Sequence, residues 1–180
     1  MRHTLSRLAP PVAAVAALGL FLTSPAIAGT DQIRSEGPLL SYSAEIPAGA
    51  KARVQAVYTA SGKSIVTLHA WGLKPNTEYG AHAHRDACGA TGAAAGPHFQ
   101  NVVDPVTPST NPYYANPQNE IWLDFETDEF GSGVAQTQVA WQFNPARRAH
   151  SVIIHAEHTH TGTGDSGTAG PRLACLTVGF

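Results

Sequence analysis

Beyond its first thirty residues, the chain alternates polar and apolar positions over short stretches and nowhere holds a helical period for three turns. The period-two stretches predict strands. In Ser64–Trp71, Ile65, Thr67 and His69 fall on one face and Val66, Leu68 and Ala70 on the other. Similar runs at Leu39–Glu45, Ala52–Thr59, Tyr79–His84, Glu120–Thr127, Val134–Trp141, Ser151–His155 and Arg172–Val178 complete a set of about eight. Glycine and proline punctuate the joints. An all-β sandwich or barrel is the expected class.

Two connections are long for such a domain. Gly89–Asn119 is proline-rich, and Ala156–Pro171 is small, polar and rich in glycine and threonine. Long loops on a compact all-β frame are where function concentrates. The start of the chain reads differently. Arg2 and Arg7 precede an apolar stretch, Val12 to Leu22, which is too short to span a bilayer, and Ala26-Ile27-Ala28 has the small-x-small form of a cleavage site. Residues 1–28 are therefore expected to be a secretory signal, 29–38 a flexible tail, and 39–180 one domain. Cleavage after Ala28 would leave 152 of the 180 residues and, by removing two arginines, take the net charge from −2 to −4. A mildly acidic exported chain gives no reason to propose nucleic acid or a membrane as partner. Its oligomeric state is not written in the sequence.

Export implies an oxidising compartment. There the only two cysteines, Cys88 and Cys175, most simply form one disulfide. Neither belongs to a CxxC pair, so metal ligation by thiolate is the weaker reading. Closing a loop of about 87 residues is worth roughly 4–5 kcal/mol in the chain-entropy picture.

The chemistry resides in four of the nine histidines. His82 and His84 are two apart on an expected strand, so both imidazoles leave the same face, as two ligands of one ion must. His98 follows the turn Gly96-Pro97, and His155 ends the apolar run Val152-Ile153-Ile154. Taken alone, the pair reads equally well as surface histidines, His98 reads more readily as a loop histidine, and His155 also reads as a strand-end histidine bonded to backbone. Several imidazoles without a thiolate suit copper, zinc or nickel, and spacing does not choose among them. His158 and His160 in the following loop read as solvated, His69 as structural, His150 as part of a polar loop with Arg147 and Arg148, and the three tryptophans as packing residues.

From about residue 39 to 180 the chain resembles the copper/zinc superoxide dismutases. The likeness is carried by Gly80-Ala81-His82-Ala83-His84, Ala95-Gly96-Pro97-His98-Phe99, Val152-Ile153-Ile154-His155 and Ala169-Gly170-Pro171-Arg172-Leu173-Ala174-Cys175. The resemblance implies an eight-stranded Greek-key barrel, copper bound by His82, His84, His98 and His155, Arg172 as the active-site arginine, and a Cys88–Cys175 bond. The implied activity is conversion of superoxide to dioxygen and hydrogen peroxide, with His98 both a ligand and a proton carrier. The zinc ligands of the family are missing. No histidine lies between His98 and His150, and the corresponding stretch reads Asn116-Pro117-Gln118-Asn119-Glu120-Ile121-Trp122-Leu123-Asp124. Zinc is therefore unexpected, and the chain is similar to the copper-only secreted members. Without zinc, His98 needs another partner on its second nitrogen. Glu120 is the first candidate, with Asp104 and Asp124 behind it; an exposed strand position for Glu120 is the competing reading. The rival functions are extracellular copper storage or delivery on the same fold and a metal-free scaffold.

Overall fold

The computed structural model describes residues 31–180; the expected signal segment lies outside them. Among the described residues nine strands form two antiparallel sheets that face each other without closing into a barrel. The first sheet has the order β1 (Asp31–Pro38), β3 (Lys51–Tyr58), β4 (Ser64–Trp71), β7 (Gly133–Val139). The second runs β2 (Leu40–Ser41), β9 (Arg172–Thr177), β8 (Ser151–His155), β5 (Glu78–His84), β6 (Phe125–Glu126). The chain therefore leaves the first sheet after β4, builds β5 and β6 in the second, and returns for β7.

The core lies between the sheets and follows the period-two pattern. Val54, Val66 and Leu68 from the first sheet meet Ala81, Ala83, Val152 and Ile154 from the second. On β4 the inward set is Ser64, Val66, Leu68 and Ala70. Trp71 and His69 lie on the outer face instead, stacked at 6.0 Å with Arg53 over the Trp71 ring, so Trp71 is not a core residue.

Three expectations need correction. The supposed N-terminal tail is strand β1 from Asp31 onward, paired over its whole length with β3. Its inward positions are Ile33, Ser35 and Gly37, so it carries only one sizeable apolar side chain, and its outer face holds Arg34 and Glu36 with Arg53. Charge on an edge strand guards against unwanted pairing and hides the strand from a hydrophobic pattern. The expected strand Leu39–Glu45 shrinks to Leu40–Ser41, because a turn at Ser43–Ile46 carries the chain away. Glu120–Thr127 is a strand only at Phe125–Glu126. Its earlier residues lie beside β5 but share that edge with residues 97–100. Ile121 and Leu123 exchange hydrogen bonds with Ala83 and Ala81, and Phe99 N–H donates to Ala83 O.

Candidate metal centre

The outer face of the second sheet holds the site. Antiparallel register places Gly80 opposite His155, His82 opposite Ile153, and His84 opposite Ser151, so His82, His84 and His155 share one face. A register shift at Ile154/His155 then sets Arg172 opposite His155 and Cys175 opposite Ile153. In a regular strand, residues three apart point to opposite faces. The bulge brings Arg172 and Cys175 to the same one. The Cys88–Cys175 disulfide forms there, with Ala95 and Ile153 packed around it, and secures the segment leading to His98.

Segment 156–170 crosses this face while segments 97–100 and 120–124 flank its β5 edge, and His82 and His84 are fully buried although they lie outside the intersheet core. Two glycines make the cover possible. A β-carbon at Gly80 would strike Glu157 O and the Ala169 side chain, so the loop after β8 can close only over glycine. Gly96 has φ +69° and would meet Asp86 if substituted, while its carbonyl receives a hydrogen bond from His84.

One nitrogen from each of His82, His84, His98 and His155 lies within 4.8 Å of the others. Their remaining nitrogens are bonded outward. His84 Nδ1–H donates to Gly96 O at 3.0 Å and His155 Nδ1–H to Gly170 O at 3.3 Å. His98 Nδ1–H donates to Glu120 Oε2 at 2.8 Å, and His82 Nε2 meets Thr159 Oγ1 at 2.6 Å. Because a neutral imidazole has one N–H, these bonds leave bare lone pairs pointing inward. His84 Nε2 and His155 Nε2 face each other at 3.4 Å with no proton between them, and His82 Nδ1 is buried without a partner. Protonation is no remedy. Burial, followed by the neighbouring imidazoles, holds His82 and His84 well below the usual histidine value, and burial pushes His155 down to about 3. Converging acceptor nitrogens that resist protons are suited to a cation. Four imidazole donors fit a borderline metal such as copper; the donor set does not by itself name the metal.

Glu120 is 1% exposed. Its Oε2 also accepts from Trp122 Nε1 at 2.7 Å, and its Oε1 from Gln100 Nε2 at 2.8 Å. The other acids proposed for His98 have different partners. Asp104 accepts from Val106 N–H and Ser109 Oγ, and Asp124 from Thr159 and Ala81 N–H. His158 faces Phe125 O and His160 lies between Glu157 and Asp165; neither joins the cluster. Arg172 donates one bond, from Nη1 to Gly92 O at 2.7 Å, and lines a cavity of about 380 Å³ with His98, His155, Phe99 and Arg147. Thr159, Gln100 and Trp122 support the site although no local pattern marks them, since each acts through a contact that exists only after folding.

Comparison with protein families yields no matching family model, and no curated protein matches. Among solved structures, the chain is similar to that of the clock protein EA4, with a TM-score of 0.56 and 19% identity over 82% of this chain and 92% of the other. At that identity the likeness concerns the fold alone. Among the described residues no helix is long and apolar enough to cross a membrane.

Proposed function

We propose that this chain is an exported, copper-dependent superoxide dismutase built on the Greek-key fold of that family, without the family's zinc. The observation that carries the reading is the convergence of four inward lone pairs, from His82, His84, His98 and His155, beside a cavity that Arg172 also lines. The disulfide is consistent with an oxidising compartment.

When bound, copper supplies the one-electron couple by which two superoxide ions and two protons become dioxygen and hydrogen peroxide. The protein's part is binding, orientation and proton supply. Arg172 holds a guanidinium, anchored by Gly92 O, at the cavity wall, where its remaining N–H groups attract and orient a small anion. His98 is the most exposed imidazole of the four and the one whose outer nitrogen is held by a carboxylate. Glu120 keeps the Nδ1–H tautomer, so Nε2 is the donor atom that would hold the metal and, only when free of it, could carry a proton to the reduced product. Arg172 favours catalysis over copper storage, which requires ligands but no anion-orienting cation.

Measuring superoxide loss with copper-loaded and metal-stripped protein tests this. Rapid loss with the loaded protein alone is expected. Tightly bound copper with no loss beyond the uncatalysed rate would leave the storage reading.

A further inference from the structure

His82 differs from the other three imidazoles. His84, His98 and His155 are held at Nδ1 and present Nε2 inward, whereas His82 is held at Nε2 and presents Nδ1. Its partner is a hydroxyl, and a hydroxyl has one proton to give. Thr159 Oγ1 lies 2.6 Å from Asp124 Oδ1 and 2.6 Å from His82 Nε2. The Asp124 carboxylate can only accept. It receives Thr159 N–H on Oδ2 at 2.8 Å and Ala81 N–H on Oδ1 at 3.2 Å as well. The hydroxyl proton therefore goes to Asp124, and Oγ1 must accept from His82. Nε2 then carries the imidazole proton and Nδ1 is left bare.

We propose that Thr159 is a positioning residue which, braced by Asp124, fixes His82 in the Nε2–H tautomer and so makes Nδ1 its metal donor. The inference rests on the metal centre proposed above but not on its redox activity. Asp124 cannot perform the task alone, because its Oδ1 is 4.0 Å from His82 Nε2. The placement of Thr159 follows from the loop fold. Ala156 N–H bonds Pro171 O, Glu157 N–H bonds Ala169 O, and His160 N–H bonds Thr168 O, forming a narrow ladder that crosses Gly80. The same loop ends at Gly170, whose carbonyl holds His155. One segment thus sets the ring nitrogens of two ligands.

The test compares the wild type with Thr159→Val, which keeps the shape and removes the hydroxyl, and Thr159→Ser, which restores it. Histidine side-chain ¹⁵N spectra of the metal-free proteins should show His82 as the Nε2–H tautomer in the wild type and Thr159→Ser, and as a mixture in Thr159→Val. Copper affinity, read by chelator competition, should fall about 10- to 100-fold in Thr159→Val and recover in Thr159→Ser. A His82 Nδ1–H tautomer in the wild type would overturn the proposal, as would Thr159→Val with wild-type tautomer and affinity. The wild-type spectrum decides even where the valine variant does not fold. Loss of superoxide activity alone, with the tautomer and affinity pattern intact, would sink the dismutase reading and leave this one standing.

Discussion

Replacing Glu120 by glutamine separates two effects that the structure places on one side chain. The carboxylate accepts three hydrogen bonds, from His98 and Trp122 on Oε2 and from Gln100 on Oε1. Glutamine fits best with its carbonyl oxygen at the Oε2 position, which keeps the first two bonds. Its NH2 group then faces the NH2 of Gln100. Gln100 cannot turn over, because its own oxygen accepts from Asp104 N–H at 2.9 Å. A buried donor left unpaired costs about 1–3 kcal/mol. That loss falls on metal-free and metal-loaded protein alike, so it appears as stability. The second effect is specific to the metal. Without the negative charge behind Nδ1–H, His98 is a poorer donor at Nε2, and losses of about 10- to 100-fold in metal affinity or activity are typical for such partners. In free energy the affinity loss is about 1.4–2.8 kcal/mol. Denaturant unfolding of the metal-free protein reads the first effect, and chelator competition with copper reads the second. Glu120→Gln with copper affinity and turnover within twofold of wild type would refute the role given to the carboxylate, whatever its stability.

Three further outcomes are expected. Arg172→Ala should lower the superoxide turnover constant while copper stays bound; unchanged turnover at low ionic strength would count against an anion-orienting arginine. Burial keeps His82, His84 and His155 unprotonated in the metal-free fold, whereas in the unfolded chain they take up protons near pH 6.5. The unfolded state then binds more protons below that pH, so stability is full above about 6.5 and lost on acidification at up to about 4 kcal/mol per pH unit for three groups. Equal denaturant midpoints at pH 7 and pH 5 for metal-stripped protein would contradict this. Free-thiol titration of unreduced, denatured protein should find none. Reducing the Cys88–Cys175 bond should cost roughly 4–5 kcal/mol for its 87-residue separation; two free thiols would remove the link.

Residues with a strong local pattern were legible before folding. Ser64–Trp71 and Ser151–His155 alternate or run apolar between clear turns, and both are strands with the expected bounds. The i, i+2 spacing of His82 and His84 fixes a shared face wherever a strand forms, and β5 places them so. What local pattern does not encode is the cover. Asp31–Pro38 has one large inward side chain and becomes a strand because β3 offers a free edge. Residues 120–124 are extended like a strand yet divide the edge of β5 with residues 97–100, a competition between segments distant in the chain. Thr159 lies among threonines and histidines with nothing to single it out. Its role depends on Gly80 letting the loop descend until the hydroxyl meets His82. Asp104, a plausible carboxylate for His98 in the sequence, closes its own turn through Val106 and Ser109.

Metal content tests the central claim most directly. Protein loaded with copper and zinc together, passed through a chelator and analysed for both elements, should retain about one copper per chain on His82, His84, His98 and His155 and no tightly held zinc. One equivalent of zinc retained beside the copper, or copper lost completely to the chelator, would contradict a copper-only centre.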